Sequence, residues 1–135
     1  MIEVKTAELT GPVLDWAVGI VVYGKVYVYP DGGLCPPEGT ISLNEDDGTL
    51  WTNIGEFHHG DQWTPSTDWD QGGPMIASHQ VNLHSPQTSD DCWAAWVTIR
   101  GKDFCQGGWQ PLVAACRAIV AAKLGDVVSV PAELI

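Results

Sequence analysis

Residues 1–5 alternate, with Ile2 and Val4 on one parity and Glu3 and Lys5 on the other, which predicts a short strand. Thr10 and Gly11 then offer helix caps, and Pro12 sits where a missing N–H costs nothing. Val13, Leu14, Ala17 and Val18 form an apolar helical stripe with Trp16 on its flank. Residues 21–29, Val-Val-Tyr-Gly-Lys-Val-Tyr-Val-Tyr, read as a strand on which Tyr23, Tyr27 and Tyr29 share parity. Pro30-Asp-Gly-Gly ends it as a turn. From 34 to 64 the chain is rich in Gly, Asp, Pro and Asn, with Ile41, Leu43, Leu50, Trp51 and Ile54 as the only anchors. That pattern predicts an irregular excursion with one hairpin around Asp47-Gly48.

Residues 65–76, Pro-Ser-Thr-Asp-Trp-Asp-Gln-Gly-Gly-Pro-Met-Ile, show neither a helical nor a strand period. Gly72 and Gly73 are free to take positive φ, and Pro74 biases Gly73 toward an extended shape, so the stretch reads as a binding loop or a tight corner. Val81 and Leu83 mark a strand after it. Residues 92–100 give the strongest strand, with Trp93, Ala95, Val97 and Ile99 on one face and Trp96 on the other. Residues 101–108 read as a turn. Pro111–Leu124 is the clearest helix, with proline in its first turn and Gly125 at the position after its last residue. Val127, Val128 and Val130 predict a final strand. Together these elements predict an α+β fold: an antiparallel sheet of about four or five strands with two helices packed on one face, in a single domain over 1–135.

Charge narrows the function classes. The 135 residues carry 6 Lys plus Arg against 17 Asp plus Glu, a formal net charge of -11. A chain this acidic is a poor direct binder of nucleic acid, whose phosphates are met by Lys and Arg. Its four cysteines contain no C-x-x-C pair. No charged-then-apolar signal segment and no membrane-length apolar run is present, so the expectation is a cytosolic chain with reduced thiols. Cys116 falls in the apolar run of the last helix and reads as a small buried hydrophobe.

Four segments together resemble one family: Lys5-Thr-Ala-Glu-Leu-Thr-Gly, Leu14-Asp-Trp-Ala-Val, Ser66-Thr-Asp-Trp-Asp-Gln-Gly-Gly-Pro-Met-Ile and Lys123-Leu-Gly-Asp-Val-Val-Ser-Val-Pro. They are similar to the NinX-like proteins of temperate bacteriophages and prophages, a domain of unknown function. The resemblance covers both ends and the middle in order, and residues from about 22 to 64 match least, as a family-variable insertion. It implies a phage origin and the host bacterial cytoplasm, and it supplies no catalytic residues.

Candidate chemistry therefore comes from the residues. His58 and His59 are adjacent, and His79, His84, Cys92, Asp90 and Asp91 lack a tetrahedral ligand spacing, so no metal and no cofactor is expected. No serine or cysteine sits in a nucleophile motif. Asp68 and Asp70 flank Trp69 as a carboxylate pair, although a capping role for Asp68 is the simpler reading. Asp15 reads first as a partner of the helix dipole. Gly107-Gly108 before the last helix is a possible anion-binding turn. Seven tryptophans are more than one core needs, which leaves some for a stacking platform or an interface. The expected ligand site comprises Asp68, Trp69, Gln71, Gly72 and Gly73, joined by Asp15, Trp16, Trp109 and Arg117. The expected partner is a small nucleotide-like molecule held without catalysis, in a homodimer or higher oligomer that touches no membrane. An acidic protein-interaction module or DNA mimic is the alternative, and a hydrolase using Asp68 and Asp70 the third.

Overall fold

The first and last strands of the chain lie side by side. In the computed structural model, which describes residues 1–29, 36–55 and 58–135, β1 (Ile2–Lys5) pairs antiparallel with β9 (Val127–Val130), with Val4 opposite Val128. Thr6 fastens the junction: its N–H donates to Asp126 O at 2.8 Å and its hydroxyl to Gly125 O at 2.6 Å. Both strands form where the sequence predicts them, β1 from its alternation and β9 from its run of valines.

Helix α1 spans Gly11–Tyr23, with Thr10 at the N-cap and Pro12 in the first turn. It runs further than its sequence suggests. Val21, Val22 and Tyr23 continue the helix, and Gly24 ends it at φ 77° with its N–H on Ile20 O. The strand expected over 21–29 shrinks to β2 (Val26–Tyr29), so the three tyrosines never share one strand face. β2 pairs parallel with β3 (Ile41–Asn44), which pairs antiparallel with β4 (Thr49–Gly55), and β4 with β5 (His58–Gln62). The stretch expected to be irregular thus holds most of a four-stranded sheet. Its Asp47-Gly48 hairpin is present, with Gly48 at φ 74°. The Pro30-Asp-Gly-Gly turn lies outside the described residues.

The central stretch is a helix, not a loop: α2 covers Trp69–Ser78. Asp68 starts it, its Oδ1 accepting the Asp70 N–H at 2.9 Å. Neither Gly72 nor Gly73 has positive φ. Gly73 lets the helix run through Pro74, because it lacks the Cβ that a proline ring crowds in a helical predecessor. β6 (Asn82–His84), β7 (Trp93–Ile99) and β8 (Lys102–Gly108) form an antiparallel sheet. The turn expected over 101–108 is only Arg100-Gly101, both at positive φ (53° and 78°), with Ile99 paired to Lys102. The rest of that segment is strand.

Helix α3 is Pro111–Leu124, as its pattern predicts. It packs on β7 and β8 and against α1. Leu14, Val18, Ala95, Val97, Ile119 and Val120 meet in the core with Ile41 and Leu50 of the four-stranded sheet. The fold is α+β, as expected. The single antiparallel sheet with two helices is corrected to three helices and nine strands among the described residues, in sheets of two, four and three strands, with one parallel pair.

Candidate functional site

A cleft of about 270 Å³ lies where α2 begins beside the first turn of α3, walled by Ser66, Thr67, Trp69, Pro111, Leu112 and Val113. Two close approaches shape it. A Cβ on Gly72 would collide with the Pro65 carbonyl oxygen and lie 2.8 Å from Leu112 Cδ2. One on Gly108 would lie 2.8 Å from Ala114 N. Glycine at both positions lets α2 and the end of β8 close onto the start of α3.

The α3 end of this cleft has backbone donors to offer. Gln110 occupies the N-cap and makes no side-chain cap bond, while Pro111 has no N–H. Ala114 N–H donates to Gln110 O. The N–H groups of Leu112 and Val113 have no acceptor among the described residues, as in the first turn of any uncapped helix. Trp69, which also lines the cleft, is 55 % exposed.

The remaining candidate residues are distributed around this cleft rather than gathered in it. Gln71 is a staple: its Oε1 accepts Thr64 N–H at 2.6 Å and its Nε2 donates to Gln62 O at 2.8 Å. The Gly72 N–H is held by Asp68 O at 2.8 Å, inside the helix. Trp109, beside the cleft residue Gln110, is 75 % exposed. Arg117 donates from Nε to Leu9 O at 2.7 Å and from Nη1 to Gly107 O at 2.8 Å, so it ties α3 to two neighbouring segments. Trp16 is buried and walls a separate cavity of about 320 Å³ with Val26, Leu43 and Pro131.

Asp15 departs most from its sequence reading. It is not a first-turn partner of the helix dipole but a buried group, 2 % exposed, in the second turn of α1. Burial pushes its pKa up to about 6, and Ser66, through its side chain and its N–H, pulls the other way. The contact with hydrogen-bond geometry is the backbone one, Ser66 N–H to Oδ1 at 2.8 Å. The buried Ser66 hydroxyl has no partner among the described residues. Beside them Trp63 donates its indole N–H to Asp15 O at 2.8 Å. Cys116 sits close enough for the Asp15 charge to act on it, and burial with that charge raises its thiol to about 12. Sequence reasoning missed Ser66 and Trp63, whose roles arise from contacts across some fifty residues and leave no local pattern.

Asp68 and Asp70 stand at the start of α2, with Asp68 acting as its cap. No group of three His, Cys, Asp or Glu side chains gathers among the described residues. No helix there is long and apolar enough to cross a membrane. Cys92, Cys105 and Cys116 are free thiols, and Cys35 lies outside the described residues.

No curated protein matches the chain. The family model described as bacteriophage P22 NinX matches residues 5–123, which takes in α1, all three sheets in part or whole and nearly all of α3; the chain belongs to that family of phage proteins.

Proposed function

We propose that this phage accessory protein is a non-catalytic binder that sequesters a small nucleotide-derived ligand in the host cytoplasm, of the kind a bacterium uses as an antiviral signal. The observation that carries this reading is the cleft between Trp69 and the first turn of α3. An exposed indole on one wall is a stacking surface for a planar base. Two backbone N–H groups at a helix N-terminus on the other wall suit a phosphate. Asp68, next to Trp69, caps α2 through one carboxylate oxygen and does not line the cleft itself. The cleft, at about 270 Å³, suits one nucleoside phosphate unit better than an extended dinucleotide.

The test is thermal shift of the purified protein against a panel of cyclic and ADP-ribose-type nucleotides. The expected result is stabilisation by several degrees with at least one member, lost in Trp69→Ala. No stabilisation by any member counts against the reading.

The formal charge of -11 favours a second reading, an acidic surface that engages a basic host protein. Capture from host lysate that disappears with rising salt supports it. A homodimer through the outer face of the β6–β8 sheet, where Trp96 sits half-buried, fits either reading and is checked by sedimentation.

A further inference from the structure

A second, smaller cavity opens beside Asp15, and it differs in chemistry from the Trp69 cleft. It measures about 110 Å³, and Asp15 shares its wall with Pro12, Asp47, Thr49, Gln62 and Trp63. Of the two Asp15 oxygens, Oδ1 holds the Ser66 N–H, and Oδ2 has no hydrogen-bond partner among the described residues. No Lys, Arg or His lines the cavity. A carboxylate this deeply buried ordinarily has a counter-charge or several donors around it. Here the fold supplies the Ser66 N–H, with the Ser66 hydroxyl acting on the same carboxylate from outside hydrogen-bond geometry, and Asp15 lines the cavity with no counter-charge beside it.

We propose that this cavity is a binding site for the head of a small organic cation, an ammonium or guanidinium group, held by the Asp15 carboxylate. Asp47 adds a second negative charge at the rim. Its Oδ1 accepts the Thr49 N–H at 3.0 Å and the Thr49 hydroxyl at 2.6 Å, and these bonds hold its carboxyl below the usual range, so it stays ionised. Trp63 contributes an aromatic wall, which attracts cations through its ring face. The volume, about 110 Å³, is enough for a cationic head group. A divalent metal is disfavoured because no third carboxylate, histidine or cysteine joins the two acids among the described residues. The acidic surface as a whole concentrates cations near the opening.

The site has one titrating charge in the near-neutral range. Asp47 is ionised throughout, and the Cys116 thiol facing Asp15 from α3 stays neutral up to about 12. Asp15 itself takes a proton near 6, so the guest competes with that proton. The Asp15–Ser66 bond links this cavity to the wall of the nucleotide cleft, but the proposal does not rest on the nucleotide reading and is tested with a different probe.

Agmatine, with an ammonium at one end and a guanidinium at the other, is the probe, titrated by calorimetry at about 0.15 M salt to screen surface attraction. Binding is expected at pH about 7.5, weakened about tenfold at pH about 5, where most Asp15 is protonated. Asp15→Asn abolishes it, while Asp90→Asn, which removes an equal charge from an exposed turn, leaves it unchanged. Should Asp15→Asn fail to fold, the pH comparison on the native chain still decides. Tighter binding of blocked arginine or lysine amides than of agmatine assigns the head to a protein side chain, and the reverse assigns it to a free amine. Absence of binding, equal binding by Asp15→Asn, or equal heat from magnesium or potassium would overturn the assignment.

Discussion

The Asp15 carboxylate accepts the Ser66 N–H at 2.8 Å across 51 residues of sequence, and this bond joins α1 to the wall of the Trp69 cleft. The same carboxylate titrates at about 6 because burial disfavours its charge more than Ser66 favours it. Its folded pKa therefore lies above its unfolded value of 3.8. The folded state holds a proton that the unfolded chain has released, so this group's contribution is greatest below the lower value. That contribution is lost as pH rises from about 4 to about 6, a difference of about 3 kcal/mol for a shift of roughly two units. Asp15→Asn keeps an oxygen for Ser66 and removes the titration. Its Tm is expected to exceed that of the native chain at pH about 7.5 and to converge with it near pH 4, read as a difference between two melting curves at each pH.

Gly72 is expected to tolerate nothing larger. An alanine Cβ there meets the Pro65 carbonyl oxygen, which is backbone and cannot swing aside, besides Leu112 Cδ2 at 2.8 Å. Gly72→Ala should lower stability by about 3 kcal/mol, at the upper end of overpacking effects. Gly73→Ala meets only the Trp69 ring, at 3.8 Å, and should lose far less. Urea denaturation of the pair separates the two positions, and equal losses would show that the α2–α3 contact is looser than described.

These positions also mark where the sequence stopped being legible. α3 was readable end to end, because its proline, its period and its closing glycine all agree, and β7 because its two faces differ. α2 was not. Its two glycines and Pro74 oppose a helix locally, and what overrides them is the Asp68 cap and the fit of Gly72 against Pro65 and Leu112. β8 was hidden because Arg100 at positive φ is an unusual hairpin residue. The extension of α1 through Val21, Val22 and Tyr23 ran against their β propensity. For the candidate site, Trp69 lines a cleft. Its partners on α3 and the buried state of Asp15 depend on tertiary contacts that no local spacing encodes.

Trp63 is a second anchor of α1. Its indole N–H donates to Asp15 O, and its ring meets Tyr23 edge-on with centroids 5.6 Å apart. Trp63→Phe retains an aromatic ring and loses the donor. The expected loss is about 1–2 kcal/mol from the missing hydrogen bond and the smaller ring. Chemical denaturation checks the loss, and agmatine affinity should fall with it if the indole forms the wall of the Asp15 cavity.

Arg117 is expected to matter for stability rather than for charge recognition. Its guanidinium bridges Leu9 O and Gly107 O, holding the segment before α1 and the end of β8 to one turn of α3. Arg117→Ala leaves two partly buried carbonyls without a donor, and bonds from a charged group contribute about 1.5–3 kcal/mol each. The two share one side chain, so about 3 kcal/mol in total is the expected loss. Lysine carries the same charge as a single compact ammonium and cannot span both carbonyls as the planar fork does. Arg117→Lys should therefore recover less than half of the loss in the urea midpoint with the m-value unchanged. Full recovery by lysine would mean that charge alone suffices there and that the two-carbonyl bridge does not hold these segments together.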